Sequence, residues 1–299
     1  MQVSGDLSAI LEPGLRMIYG LTYNQFERQF TNVFDVKESK MHNEEDRSMT
    51  GFGYAQVKDE GGGISFDLMY QGFQKIYTHV EYSLGFQVSR ILVEDDLYNI
   101  INQLPAALAR SNWQTLELLT ANILNNAFTG NDQNDGKDLC DTARPLEGPG
   151  ATWQNKPTVS ADFDLTSLEQ AIIDIGDYVD GRGLKMKAMP KKLIVPLSEA
   201  WQADVVLNTA QRPGTQLNDK NPASSGLFPG GVQVMNWLTD PDAWFIQTDV
   251  PNGLTFFWRR HMEFGRDNDF NTQNAKFAST FRCSQGSTDP RGIYGNPGA

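Results

Sequence analysis

The three histidines, His42, His79 and His261, are the side chains best suited to proton transfer or metal ligation near neutral pH, and they stand far apart. None lies four residues from another in an H-E-x-x-H frame, so no zinc site is expected on them. Gly51 and Gly53 lack the third glycine of a dinucleotide loop, because Gln56 takes its place, and Gly136-Lys137 is followed by Asp138 rather than a hydroxyl residue. No G-x-S-x-G turn occurs. The run from Asn131 through Asp132, Gln133, Asn134 and Asp135 to Gly136 has the composition of a calcium loop. Its twelfth position is Thr142, where a bidentate glutamate belongs, so turn chemistry explains it better. Asp174, Asp177 and Asp180 recur every third residue and read as a solvated helix face rather than a metal or acid-base pair. The basic cluster of Lys185, Lys187, Lys191 and Lys192 reads as a strand edge guarded by charge, with phosphate or an acidic neighbour as its functional alternative. Cys140 and Cys283 match neither a disulfide framework nor a metal knuckle and read as free thiols. Catalytic residues, cofactors and metals are all expected to be none.

The chain has 299 residues, a net charge of −12 and 39% hydrophobic residues, which is a globular composition with room for about two domains or for one core plus long extensions. The acidic balance argues against charge-driven nucleic-acid binding but allows loose contact with DNA as bulk cargo. No apolar run is long enough for a bilayer, and the N-terminal MQVSGDLSAI lacks the features of a signal peptide, so no membrane partner and a cytosolic site of synthesis are expected. Residues 1 to about 44 show short apolar clusters without sustained period and read as an extended arm that docks on something else; the charged KESKMHNEEDR run marks its boundary. Ile64, Phe66, Leu68 and Tyr70 then alternate with Ser65, Asp67 and Met69. After Gln71-Gly72 a second alternation runs from Ile76 to Val88, which predicts a projecting β-arm on the order of 40 Å long.

Asp95 and Asp96 open a helical pattern that predicts one long helix to Phe128, kinked at Pro105. Residues 130–157 read as hairpin and loop. Asp164 and Thr166 cap a second helix ending near Gly181, KLIVP is a short strand, and Ser198 begins a third helix. Strands follow around 232–237, 244–247, 254–258 and 276–283. The fold class is α+β, without internal repeats.

A long β-arm and a long helix without an active site suggest a protein whose work is contact. The sequence resembles the major capsid proteins of tailed bacteriophages, which share the Johnson fold. The resemblance is carried by GISFDLMYQGFQKIYTHVEYSLGFQVSRILVEDDLY, by ARSNWQTLELLTANILNNAFTG with DGKDLC, by LEQAIIDIGDYVDGRGLKMKAMPKKLIVP and by the segment from GVQVMNWLTDPDAWFIQTDV to the PRGIYG turn. It covers the chain in order from about Gly51 onward. It implies an N-terminal arm (1–44), an extended loop or β-arm (45–80), a peripheral domain (81–160 and 263–299) with spine helix 95–128, and an axial domain (161–262). It further implies self-assembly of hexamers and pentamers into an icosahedral shell around a double-stranded DNA genome, hence a virion location after assembly in the cytoplasm of a bacterial host. The implied partners are other copies of the chain, a separate scaffolding protein, a portal and decoration proteins.

Phe66, Leu68, Tyr70, Phe73, Ile76 and Tyr77 on the β-arm are the expected intersubunit contacts, because a two-stranded ribbon carrying them is marginal alone in water. Some relatives weld subunits through a lysine to asparagine isopeptide bond. Lys58 and Lys75 lie near the arm, but no matching asparagine and glutamate stand out, so no cross-link is expected. The arm begins almost at once after Met1, which implies a separate scaffold or a segment already removed. The rival readings are a tail or fibre subunit, and a carbohydrate-active enzyme using carboxylates with Trp153, Trp237 or Trp258, which requires paired carboxylates about 5–10 Å apart.

Overall fold

A computed structural model describes residues 7–95, 101–130, 133, 135–148, 152–213, 219–268 and 274–299. Among the described residues, two four-stranded sheets and a separate two-stranded ribbon organise the fold. The first sheet is built on the hairpin of β8 (Leu254–Asn268) and β9 (Ala275–Ser287), with β1 (Asp35–Glu38) parallel to β8 on one edge and β4 (Val80–Val88) antiparallel to β9 on the other. Along β9, Ala275, Phe277, Ser279, Phe281 and Cys283 point inward at every second residue, the period that buries one face of a sheet. The helix α3 (Gln103–Asn125) lies over this sheet and buries Leu108, Leu116 and Leu124.

The second sheet runs in the order β10 (Ile293–Asn296), β7 (Trp244–Thr248), β5 (Pro190–Pro196), β6 (Val232–Met235). Helices α4 (Leu165–Gly176) and α5 (Ala200–Asn208) cover it, and Leu168, Ile175, Val206, Leu193, Trp244 and Ile246 form one core. A reciprocal cap starts α4: Asp164 accepts from the Ser167 amide at 2.7 Å and the Ser167 hydroxyl accepts from the Asp164 amide at 2.9 Å. Ser167, not Thr166, is therefore the partner of Asp164.

Four expectations need correction. Residues Leu7–Gln25 form a helix, α1, rather than an extended arm. Leu11, Leu15, Ile18, Tyr19 and Tyr23 share one face, and α1 packs on α3 and β8 of its own chain with Leu15 and Tyr19 buried. The long helix does not run from Asp95: Asp95 closes the short helix α2 (Arg90–Glu94), and α3 starts at Gln103. Pro105 therefore sits in the first turn, where its missing N–H costs nothing, and produces no kink within the helix; Asp96 and the rest of 96–100 lie outside the described residues. The expected boundary at 262/263 cuts through β8, which joins the first sheet along its whole length, while β10 returns to the second sheet.

The fourth correction concerns the β-arm. Residues Ile64–Tyr70 form no strand, and the continuous alternation from Ile76 to Val88 breaks at His79. The break separates β3 (Gln71–Thr78), which pairs antiparallel with β2 (Asn43–Met49), from β4, which pairs with β9. His79 is buried between the hydroxyls of Ser39 and Ser284, each at 2.9 Å, so a polar pin holds the point where the chain passes from ribbon to sheet. Burial, with Arg282 nearby, lowers the His79 pKa.

Candidate intersubunit surface

The ribbon is fastened at both ends. At its root the Tyr77 ring stacks edge-on against Phe257 at 5.0 Å, and its hydroxyl is 2.6 Å from Thr288 Oγ1, which donates to Asp46 at 2.9 Å. Gly286 lets that ring in, since a Cβ there would stand 2.9 Å from Tyr77. At the far end the Thr50 amide donates to the Tyr70 carbonyl at 3.0 Å and the Tyr70 amide donates to Thr50 Oγ1 at 2.8 Å. Ser48 donates to Glu147. Arg182, just beyond α4, grips the same region: its guanidinium contacts both Asp67 oxygens at 2.9 and 3.0 Å, donates to the Leu68 carbonyl at 2.8 Å and lies over the Tyr70 ring. The Gly53 amide, ahead of the Leu68 amide and Arg182, holds the exposed Asp67 carboxyl below the usual carboxylate range.

Between Thr50 and Tyr70 the chain forms a loop that keeps its apolar side chains in water. Val57 is 96% and Phe66 92% exposed, and Phe52, Tyr54, Ile64 and Leu68 are exposed as well. A group of this size on one projection is the mark of a surface that meets another protein. Of the six side chains expected at an interface, Phe66, Leu68, Tyr70, Phe73 and Ile76 are exposed and belong to this projection. Tyr77 does not: at 2% exposure it is part of its own chain's core, because the alternation that turns Ile76 outward turns its neighbour in. Sequence reasoning missed Phe52, Tyr54 and Val57; their signal was an apolar cluster between Gly51 and the glycines at 61–63, without strand periodicity.

The chemistry-bearing residues are dispersed into structural roles. His261 faces Glu38 at 3.2 Å. Asp174 accepts from the Tyr294 hydroxyl at 2.9 Å, Asp177 pairs with Lys185 at 2.7 Å, and Asp180 accepts from the backbone amides of Arg182 and Leu184. Of the calcium-like loop, residues 131, 132 and 134 lie outside the described residues; Asp135 pairs with the buried Arg144 at 2.7 Å. Cys140 and Cys283 are free, buried thiols, and burial pushes each up to about 12. Glu117 on α3 is fully buried and accepts from the amides of Gln29 at 2.8 Å and Phe30 at 3.2 Å; burial outweighs those bonds and raises its pKa to about 7. Among the described residues no group of three or more His, Cys, Asp or Glu could hold a metal ion, and no helix is long and apolar enough to cross a membrane.

A family model described as phage capsid protein matches residues 72–296. A search of curated proteins finds no match by sequence. Among solved structures, a virus-like particle from Pyrococcus furiosus superposes with a TM-score of 0.56 at 13% identity, covering 95% of this chain and 98% of that one. The procapsid of bacteriophage JBD30 gives 0.54 at 13% identity over 98% of this chain and 76% of the other. Mycobacterium phage Patience gives 0.55 at 11% identity over 98% and 89%. These likenesses give the fold, and the sequence match gives the family. The chain belongs to the phage capsid protein family and is a structural protein of the viral shell, built on an α+β fold of the Johnson type.

Proposed function

We propose that this chain is the shell subunit that self-assembles through hexamers and pentamers into a closed icosahedral head around double-stranded DNA. The carrying observation is the projection between Thr50 and Ile76, which leaves a row of large apolar side chains in solvent on a firmly anchored base. A neighbouring copy is the partner such a surface needs in a shell. In this reading the second sheet with α4 and α5 is the axial domain, the first sheet with α3 is the peripheral domain, and the ribbon with its loop is the arm. The protein does no catalysis. A separate scaffolding protein, a portal and decoration proteins act on it, its contact with DNA is loose, and assembly takes place in the cytoplasm of a bacterial host.

The test is expression with and without the neighbouring phage structural proteins, followed by electron microscopy. Closed shells or ring-shaped capsomers are expected. A chain that stays monomeric under every assembly condition, or that forms fibres, overturns the proposal.

A further inference from the structure

The central strand β5 carries an exposed patch at each end, and the two patches are complementary. Leading into its first residues, Lys187, Met189 and Lys191 are exposed at every second residue while Ala188 turns inward, so two ammonium groups flank a thioether that is 54% exposed. Neither lysine makes an ion pair with a described residue, and the nearby Asp249 is engaged by the Met189 backbone amide at 2.8 Å. After the strand, Leu197 and Trp201 are exposed, the indole by 84%, at the start of α5. Carboxylates surround them. Ser198 Oγ donates to the Pro241 carbonyl at 2.5 Å, which brings Asp240 and Asp242 to this end, and Asp162 and Asp242 lie close enough to Glu199 to raise its pKa beyond what burial does. None of these four carboxylates pairs with a described lysine or arginine.

The two patches cannot meet within one chain, because the extended strand from Lys191 to Leu197 holds even their nearest members about 20 Å apart. We infer that they are the two halves of a head-to-tail contact between copies of this chain, in which Trp201 and Leu197 of one copy seat against Met189 of the next and the carboxylates pair with Lys187 and Lys191. Charge complementarity selects a second copy: each patch has an apolar centre, and the rims are of opposite sign. Sulfur against an aromatic ring is a favourable pairing at such a centre. A contact between two different patches of the same chain repeats around an axis and closes a ring. This inference rests on the shell reading and adds a specific pair of surfaces to it, separate from the arm.

The experiment combines Met189→Cys with Trp201→Cys in one chain, where the native Cys140 and Cys283 are buried. After assembly and mild oxidation, the double variant should give a ladder of covalent multimers on a denaturing gel, and either single variant should give none. In parallel, K187E/K191E should raise the concentration needed for assembly at least tenfold at low salt, and adding D240K/D242K should restore most of it. Wild-type shells with no ladder from the double variant, together with normal assembly of K187E/K191E, overturn this contact and leave the shell reading standing. A wild-type chain that never assembles overturns both.

Discussion

Phe66 and Tyr77 are aromatic residues of one arm with opposite expected roles, and replacing each by alanine separates assembly from folding. Phe66 is 92% exposed, so its removal should change the stability of the unassembled chain by no more than about 0.5 kcal/mol. Tyr77 is 2% exposed, packed on Phe257 and hydrogen-bonded to Thr288, and its removal should cost about 3–5 kcal/mol, as for other buried aromatic rings. At the level of the shell the order reverses in meaning. If a neighbour buries Phe66, the F66A variant loses roughly 1.5–3 kcal/mol per contact, about ten- to a hundredfold in each association step. Urea unfolding of the unassembled protein reads the first quantity; light scattering against concentration, with micrographs of the products, reads the second. An F66A chain that unfolds well before wild type, or that assembles at the wild-type threshold, refutes the assignment of this side chain.

Two further outcomes test buried charges. Glu117 has a folded pKa raised to about 7, so between its ordinary value near 4.5 and about 7 the folded chain binds more protons than the unfolded one. Its contribution to stability is therefore greatest at acid pH and falls as pH rises through 7, by at most about 1.4 kcal/mol per pH unit. The E117Q variant should flatten that part of the stability profile measured by chemical unfolding, and an unchanged slope counts against it. Replacing Arg144 by alanine strands the carboxylate of Asp135, which is almost fully buried, and should cost about 3–5 kcal/mol; a loss below about 1 kcal/mol would show that Asp135 finds solvent or another partner.

The parts of this fold that were legible in the sequence are those where one signal acted alone. The capped start of α4, the run KLIVP and the alternation of β9 each match a single period and sit where expected. The misses came where two signals competed. In α1, Pro13, Gly14 and Gly20 hid a helical face that tertiary packing of Leu15 and Tyr19 sustains. From Ile76 to Val88 the apolar period along the sequence is unbroken, yet His79 is where pairing passes from β2 to β9, and a side-chain pattern carries no record of which strand lies alongside. The exposed arm was legible as a surplus of apolar side chains, but Tyr77 was not separable from Ile76 without knowing which face met Phe257.

The fastening of the ribbon has a mechanical consequence. One end is held to the first sheet through Tyr77 and Thr288; the other is held by Arg182, beyond α4, on Asp67 and by Glu147, ahead of α4, on Ser48. Tension applied at the tip is therefore split between two cores in parallel, as in a strap sewn down at both ends, rather than passed along a single strand. The same stitching ties the two sheets to each other. Cutting the Arg182 end would shift the pull toward the root, onto the Tyr77 ring, its hydroxyl and the His79 pin, with Ser48 on Glu147 as the remaining stitch at the far end.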